Sequence, residues 1–291
     1  MARAAAHASS GHVALFRHAR KATAPRGART QHVRRLIFES IWREETTAGL
    51  FGDCPVKSMT PQLVKVLRDR KVDAPEAANS RIKALRAVLG WAQTNAIGYV
   101  STNAANDVAY FAAEGDGHHS WTRQEFSQFE QSHPLGTKAR LALALLYYTG
   151  ARRGDLVTLG RQHVHDGWLS FTTKKTGTRV DLPVHPEMQV IIDASPTGDL
   201  TFLVNELNRP FTAAGFGNWF RERCDEADLK HCSAHGVRKG AATIAAEDGA
   251  TTRELMARFG WLREKEAEHY TRAADRKRLA ASGMSKLKPR T

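Results

Sequence analysis

The segment from Thr137 to Thr149 constrains the fold most. It carries Leu141, Leu143, Leu145 and Leu146 among alanines, too many apolar residues for one helix face. Such a helix must be covered by neighbours, so this segment predicts a buried core helix with a domain built around it. Tyr147 and Tyr148 at its end read as packing or hydrogen-bonded residues, because a buried phenol normally finds a partner.

The covering elements can be read on both sides. Thr122 with Glu125 is a capping box that opens a helix ahead of the core segment. Beyond the core, Trp168–Phe171 reads as one strand and Thr178–Leu182 as another, with Val180 and Leu182 on one face. Lys174-Lys175-Thr176-Gly177 joins them as a hairpin turn. The chain returns to helix after Pro186. Ser233 caps a helix carrying His235 and Arg238 that ends at Asp248-Gly249. Thr251 with Glu254 forms a second capping box, opening a helix that ends at Gly260.

From Thr30 to residue 113 the pattern is helical. Val33, Leu36, Ile37 and Ile41 recur at helical spacing after Thr30. Thr60-Pro61 starts a second helix, an N-cap followed by proline at the first helical position. A third starts near Ala74-Pro75-Glu76, buries Ile82, Leu85, Val88, Leu89 and Ala92, and ends before Gly98. Arg81, Lys83 and Arg86, with Lys65, Arg68, Arg70 and Lys71, are assigned to the exposed faces of this helical region. The polar, glycine-rich stretch Glu114–Ser120 reads as a linker. The expected fold is therefore mainly α with a small antiparallel β-sheet, in two domains. The expected divisions are a basic flexible tail over 1–29, a helical domain over 30–113, a linker over 114–120, a second domain over 121–274 and a basic tail over 275–291.

Charge adds a partner class. The 291 residues carry a net charge of +13. Residues 1–38 hold eight Lys/Arg and no acid, and residues 271–291 hold seven Lys/Arg against Asp275, so the whole positive excess sits in the two ends. Basic arms of this kind suit nucleic acid, where each phosphate contact releases counterions. No run of 18 apolar residues is present to span a bilayer, and the start lacks a secretory apolar region, so a cytosolic location without membrane attachment is expected. Three cysteines, Cys54, Cys224 and Cys232, give no disulfide framework. Cys224, Cys232 and His235 lack the paired spacing of a structural zinc site, and no metal or other cofactor is expected.

Six residues in the second half carry chemistry when taken in order: Arg152, Lys175, His235, Arg238, Trp261 and Tyr270. Arg152 follows a buried helix that stops at Gly150, and its planar fork suits phosphate oxygens. Asp155 can orient a positive partner. Lys174 and Lys175 sit on a hairpin turn within reach of a leaving oxygen, and their order leaves which one donates open. His235 and Arg238, three apart at a helix N-terminus, share a face that favours an anion. Lys239 and Lys174 are further candidate DNA contacts, with Arg81, Lys83 and Arg86. A free phenol such as Tyr270 has a pKa near 10 and needs positive charge beside it to attack at neutral pH.

Together these contexts resemble the tyrosine site-specific recombinases, or phage integrase family, over roughly residues 120–275. Thr149-Gly-Ala-Arg152-x-x-Asp155-Leu is similar to the first arginine box, and Lys175-Thr-Gly to the hairpin lysine. His235-x-x-Arg238 is similar to the second box, with Trp261 where most members have histidine and Tyr270 at the family's spacing beyond it. Val237, Lys239 and Asp155 depart from the commoner residues at their positions. The resemblance implies a core-binding domain over 30–113 and a catalytic domain over 121–274. It implies that Arg152 and Arg238 clamp a scissile phosphate, His235 and Trp261 add hydrogen bonds, Lys175 is the general acid and Tyr270 the nucleophile. It also implies a double-stranded DNA site, a homo-tetramer on DNA, integration or excision of a mobile element and an accessory directionality or bending protein. The competing reading is a catalytically silent DNA-binding or architectural protein of the same fold.

Overall fold

Residues 28–46, 49–53, 59–94, 101–112 and 117–288 are described by the structure, a computed structural model. The expected tail up to residue 27, the Glu114–Asp116 part of the linker and Cys54 lie outside the described residues. The described residues form two compact units divided between Gly115 and Asp116.

The first unit consists of α1 (Ala28–Trp42), a short antiparallel pair β1 (Glu45–Thr46) and β2 (Gly49–Leu50), α2 (Pro61–Asp69) and α3 (Pro75–Thr94). The Thr60 hydroxyl accepts from the Leu63 N–H at 3.2 Å, and Pro61 follows in the first turn, as the sequence predicts. Ile41, Phe51, Val64, Leu67, Ile82 and Leu85 meet in one core. Each such side chain contributes about 1.5–3 kcal/mol by leaving water.

Here the structure corrects the reading of two basic residues. Arg81 is buried, not exposed: its guanidinium pairs with Glu44 and donates to the Leu67 carbonyl at 2.9 Å. Arg86 is half-buried and donates to the carbonyls of Ala105 and Val108 at 2.9 and 2.8 Å, lying over the Tyr110 ring. Both cations close off backbone carbonyls and an acid that would otherwise be left unpaired away from water. Lys83 is exposed, as expected.

In the second unit, α4 (Arg123–Ser132) opens with the predicted capping box between Thr122 and Glu125. The core helix α5 (Lys138–Thr149) leaves Leu141, Leu143, Leu145 and Leu146 no more than 1% exposed. It stops at Gly150, whose φ of 59° is left-handed. A Cβ there would lie 2.6 Å from the Phe259 ring, so glycine serves both the turn and the packing.

A one-turn helix α6 (Arg153–Leu156) leads to a three-stranded antiparallel sheet in the order β3 (Val164–His165), β4 (Trp168–Thr172), β5 (Arg179–Pro183). The hairpin pairs Leu169 with Leu182 and Phe171 with Val180, which puts the apolar residues on the core face. Strand β3 is absent from the sequence reading because two residues carry no alternation to read. Helices α7 (Pro186–Ala194), α8 (Ala213–Glu226), α9 (Ala234–Glu247), α10 (Thr252–Phe259) and α11 (Glu264–Ser285) complete the unit. The first part of the expected C-terminal tail, up to Ser285, continues α11 instead of leaving it. No described helix is long and apolar enough to cross a membrane.

Candidate active site

Four chain segments bring the site together. The first is the end of α5, where Gly150 turns the chain so that Arg152 sits in extended backbone ahead of α6. Arg152 Nη1 is buried and has no hydrogen-bond partner. A buried guanidinium nitrogen without an acceptor is costly unless a ligand supplies one.

The second segment is α9, which presents Arg238 at 6% exposure. One of its nitrogens donates to the Gly150 carbonyl and another to the Phe259 carbonyl at 2.7 Å, tying the ends of α5 and α10 together. Burial first, and then the positive charge of Arg152, lower the Arg238 pKa to about 9, and the group stays a cation at neutral pH. Two like charges that act on each other make a strong attractor for an anion.

His235 lies in the first turn of α9, its ring 4.8 Å from that of His118. Much of the residue faces solvent, yet desolvation of the ring lowers its pKa to about 4, helped by the positive charges of Arg238, Lys239 and Arg152. It is therefore a neutral imidazole at pH 7, able to donate or accept.

The third segment is the β4–β5 turn. Asp155, 4% exposed, accepts the backbone N–H of Lys174 at 2.9 Å, and Lys174 Nζ donates to the Gly154 carbonyl at 3.1 Å. The turn is thereby attached to the segment that carries Arg152. Lys174 spends its ammonium on backbone, and Lys175 is exposed at the tip. Lys239 also spends its ammonium on backbone, donating to the His118 carbonyl at 2.7 Å.

The fourth segment runs from Phe259 to Tyr270. Phe259 and Trp261 stack at 4.8 Å, and Trp261 and Tyr270 at 5.3 Å. The Arg238 guanidinium lies 5.1 Å from the Phe259 ring and 5.5 Å from the Trp261 ring, a cation over two aromatic faces. Tyr270 is half-buried in the second turn of α11. Burial raises its pKa, and the charge of Arg238 offsets only part of that rise.

The sequence-predicted Arg152, His235, Arg238, Trp261 and Tyr270 thus converge, and Lys174 links the hairpin turn to them through Asp155. Arg258 was not singled out in the sequence. It donates to the carbonyls of Tyr147 and Tyr148 at 2.6 and 3.3 Å and so fixes α10 against the end of α5. One arginine in the last turn of a short helix carries no signal that would have marked it. The structure also gathers His119, Glu125, His231 and Cys232, whose sequence separation hid them as a group.

Such an arrangement can hold a tetrahedral anion against two guanidiniums with a phenol alongside. Comparison with known proteins gives that chemistry a family. Residues 123–277 match the model of the phage integrase family. The integrase of Mycobacterium phage FRAT1 is 25% identical over 266 residues, covering 82% of this chain and 78% of the relative. A crystal structure of a lambda integrase (75–356) dimer bound to a COC′ core site is similar with a TM-score of 0.75 at 18% identity, covering 89% of this chain and 94% of that one. A lambda integrase tetramer bound to a Holliday junction gives a TM-score of 0.77 at 18% identity over 91% of this chain and 81% of that one. The chain belongs to the phage integrase family, the tyrosine site-specific recombinases.

Proposed function

We propose that this protein is a site-specific DNA recombinase that cuts and rejoins strands through a 3′-phosphotyrosyl intermediate, in the integration or excision of a mobile element. The observation that supports this most is the buried, unpartnered Nη1 of Arg152, on a residue whose charge acts on Arg238, which in turn acts on Tyr270. A phosphodiester oxygen supplies the missing acceptor.

In this reading Arg152 and Arg238 bind the scissile phosphate and stabilise the charge that grows on its equatorial oxygens. His235 and Trp261 add N–H donors. Tyr270 Oη gives its proton to water and forms a bond to phosphorus while the bond to the 5′ oxygen breaks, and Lys175 gives that oxygen a proton. The 5′-hydroxyl of a partner strand reverses the step. The tyrosyl ester keeps the energy of the phosphodiester, so the chemistry calls for neither ATP nor metal. Two duplexes present four scissile phosphates, and the assembly is a homo-tetramer on DNA. The first unit serves as the core-binding domain with Lys83 among its backbone contacts, and an accessory directionality or bending protein completes the complex in the bacterial cytosol.

Covalent trapping tests this reading. Suicide duplexes carrying the element's attachment site are incubated with the protein and run on a denaturing gel beside Tyr270→Phe. The expected result is a protein–DNA adduct that the variant does not form. An adduct that survives the substitution moves the nucleophile elsewhere, and specific binding without any adduct supports a catalytically silent DNA-binding protein.

A further inference from the structure

Away from the phosphate pocket, four side chains with metal-binding chemistry meet where the second unit begins. We propose that His119, Glu125, His231 and Cys232 form a four-coordinate site for a zinc-class divalent cation, which fastens the segment entering the unit to the start of α9. Their donor atoms all lie within 4.8 Å of one another.

The geometry is convergent. Nε2 of His119 and Nε2 of His231 both approach Glu125 Oε1, at 2.8 and 2.5 Å. The two rings meet edge-on, 4.7 Å apart at 69°, with both nitrogens directed to that one oxygen. Cys232 closes the site from beneath at 0% exposure. Zinc bonds of about 2.0–2.3 Å place tetrahedral ligand atoms about 3.3–3.7 Å apart, so shifts of about 1 Å suffice here. Two imidazole nitrogens, one carboxylate oxygen and one thiolate make a borderline-soft set that suits zinc and excludes calcium or magnesium.

The surroundings hold these ligands in place. Glu125 Oε2 is bound by the Thr122 N–H at 2.7 Å and the Thr122 hydroxyl at 3.0 Å, with His119 Nε2 also 2.9 Å from it. The capping box thus orients the carboxylate from outside, as second-layer groups do in metal centres. Cys232 donates its backbone N–H to Leu229 at 2.9 Å, in the turn just before the Ser233 cap. His119 reaches α9 because residue 236 is glycine: a Cβ there would lie 2.3 Å from the His119 carbonyl. The Trp121 indole donates to the Ser233 carbonyl at 3.2 Å beside it. With four protein ligands the coordination sphere is closed, the mark of a structural and not a catalytic ion. The site is therefore independent of the cleavage chemistry proposed above, although it braces the helix that carries His235 and Arg238.

The test uses the full chain, purified without a metal-affinity tag. Elemental analysis is expected to find one equivalent of zinc per chain. Replacement by cobalt(II) is expected to give tetrahedral visible bands and a thiolate-to-cobalt charge-transfer band. Cys232→Ser should abolish the charge-transfer band, and Cys224→Ser should keep it. His119→Ala, at an exposed position, should lose the metal equivalent even if Cys232→Ser fails to fold. Chain that holds no equivalent, as purified or after zinc or cobalt addition, overturns the proposal and leaves a hydrogen-bonded helix cap. Cobalt bands unchanged in His119→Ala overturn it equally, because the thiolate site then lies elsewhere.

Discussion

The rings of Trp261 and Tyr270 lie parallel within 5°, their centroids 5.3 Å apart. The stack sets the tilt of the tyrosine ring on α11, and the indole's surroundings include the Arg238 guanidinium, 5.5 Å from its ring. Trp261→Phe keeps an aromatic face and removes the N–H. We expect it to fold normally and to lower the cleavage rate by about 100-fold, the usual effect of losing one donor to a developing oxyanion. Trp261→Ala also removes a buried ring and should cost about 3–5 kcal/mol of stability. Single-turnover cleavage with urea unfolding separates the two effects.

His235 predicts a pH dependence with a defined sign. Its pKa falls from 6.5 to about 4 on folding, so between those values the unfolded chain binds more protons than the folded one. The stability this contributes is full above pH 6.5 and is lost as pH falls toward 4. His235→Gln should flatten that part of the melting profile. Equal losses of Tm between pH 6.5 and 4 in both proteins would falsify the assignment.

Asp155 holds the hairpin turn by accepting the Lys174 N–H. Asp155→Ala leaves that donor without its acceptor and should cost about 1–3 kcal/mol. Asp155→Asn keeps a side-chain oxygen and should cost less. Cleavage should follow the same order, since the turn carries Lys175. If both variants match the parent in unfolding and in cleavage, the bond does not position the turn.

Arg81 and Lys83, grouped together in the sequence, should behave differently. Arg81→Ala removes one partner of a buried ion pair and should cost about 3–5 kcal/mol. Lys83→Ala should change stability by less than about 0.5 kcal/mol. It should instead weaken DNA binding and make it less sensitive to salt. Chemical unfolding with binding isotherms at two salt concentrations distinguishes these outcomes.

What the sequence made legible is local. The caps at Thr60, Thr122, Ser233 and Thr251 were readable because N-cap residues and their partners lie three apart along the chain. The Trp168–Phe171 and Thr178–Leu182 runs were readable because their alternation matches a half-buried hairpin. The candidate site residues were picked out by the order of their motifs. What remained hidden depends on distant chain meeting in space. Arg81 looked like a surface cation because its acid, Glu44, lies in another element. The His119, Glu125, His231 and Cys232 group has no sequence period, since its members come from two segments joined only by folding.

Helix α11 runs without a break from Glu264 to Ser285, with Tyr270 near its start. Its inner face is anchored through Ala267 and Thr271, while Leu279 and Met284 beyond them stand open to water. From residue 276 to its end the helix extends about 15 Å at 1.5 Å per residue. Tyr270, between Ala267 and Thr271, therefore sits on the clamped end of a lever whose free end carries two apolar side chains.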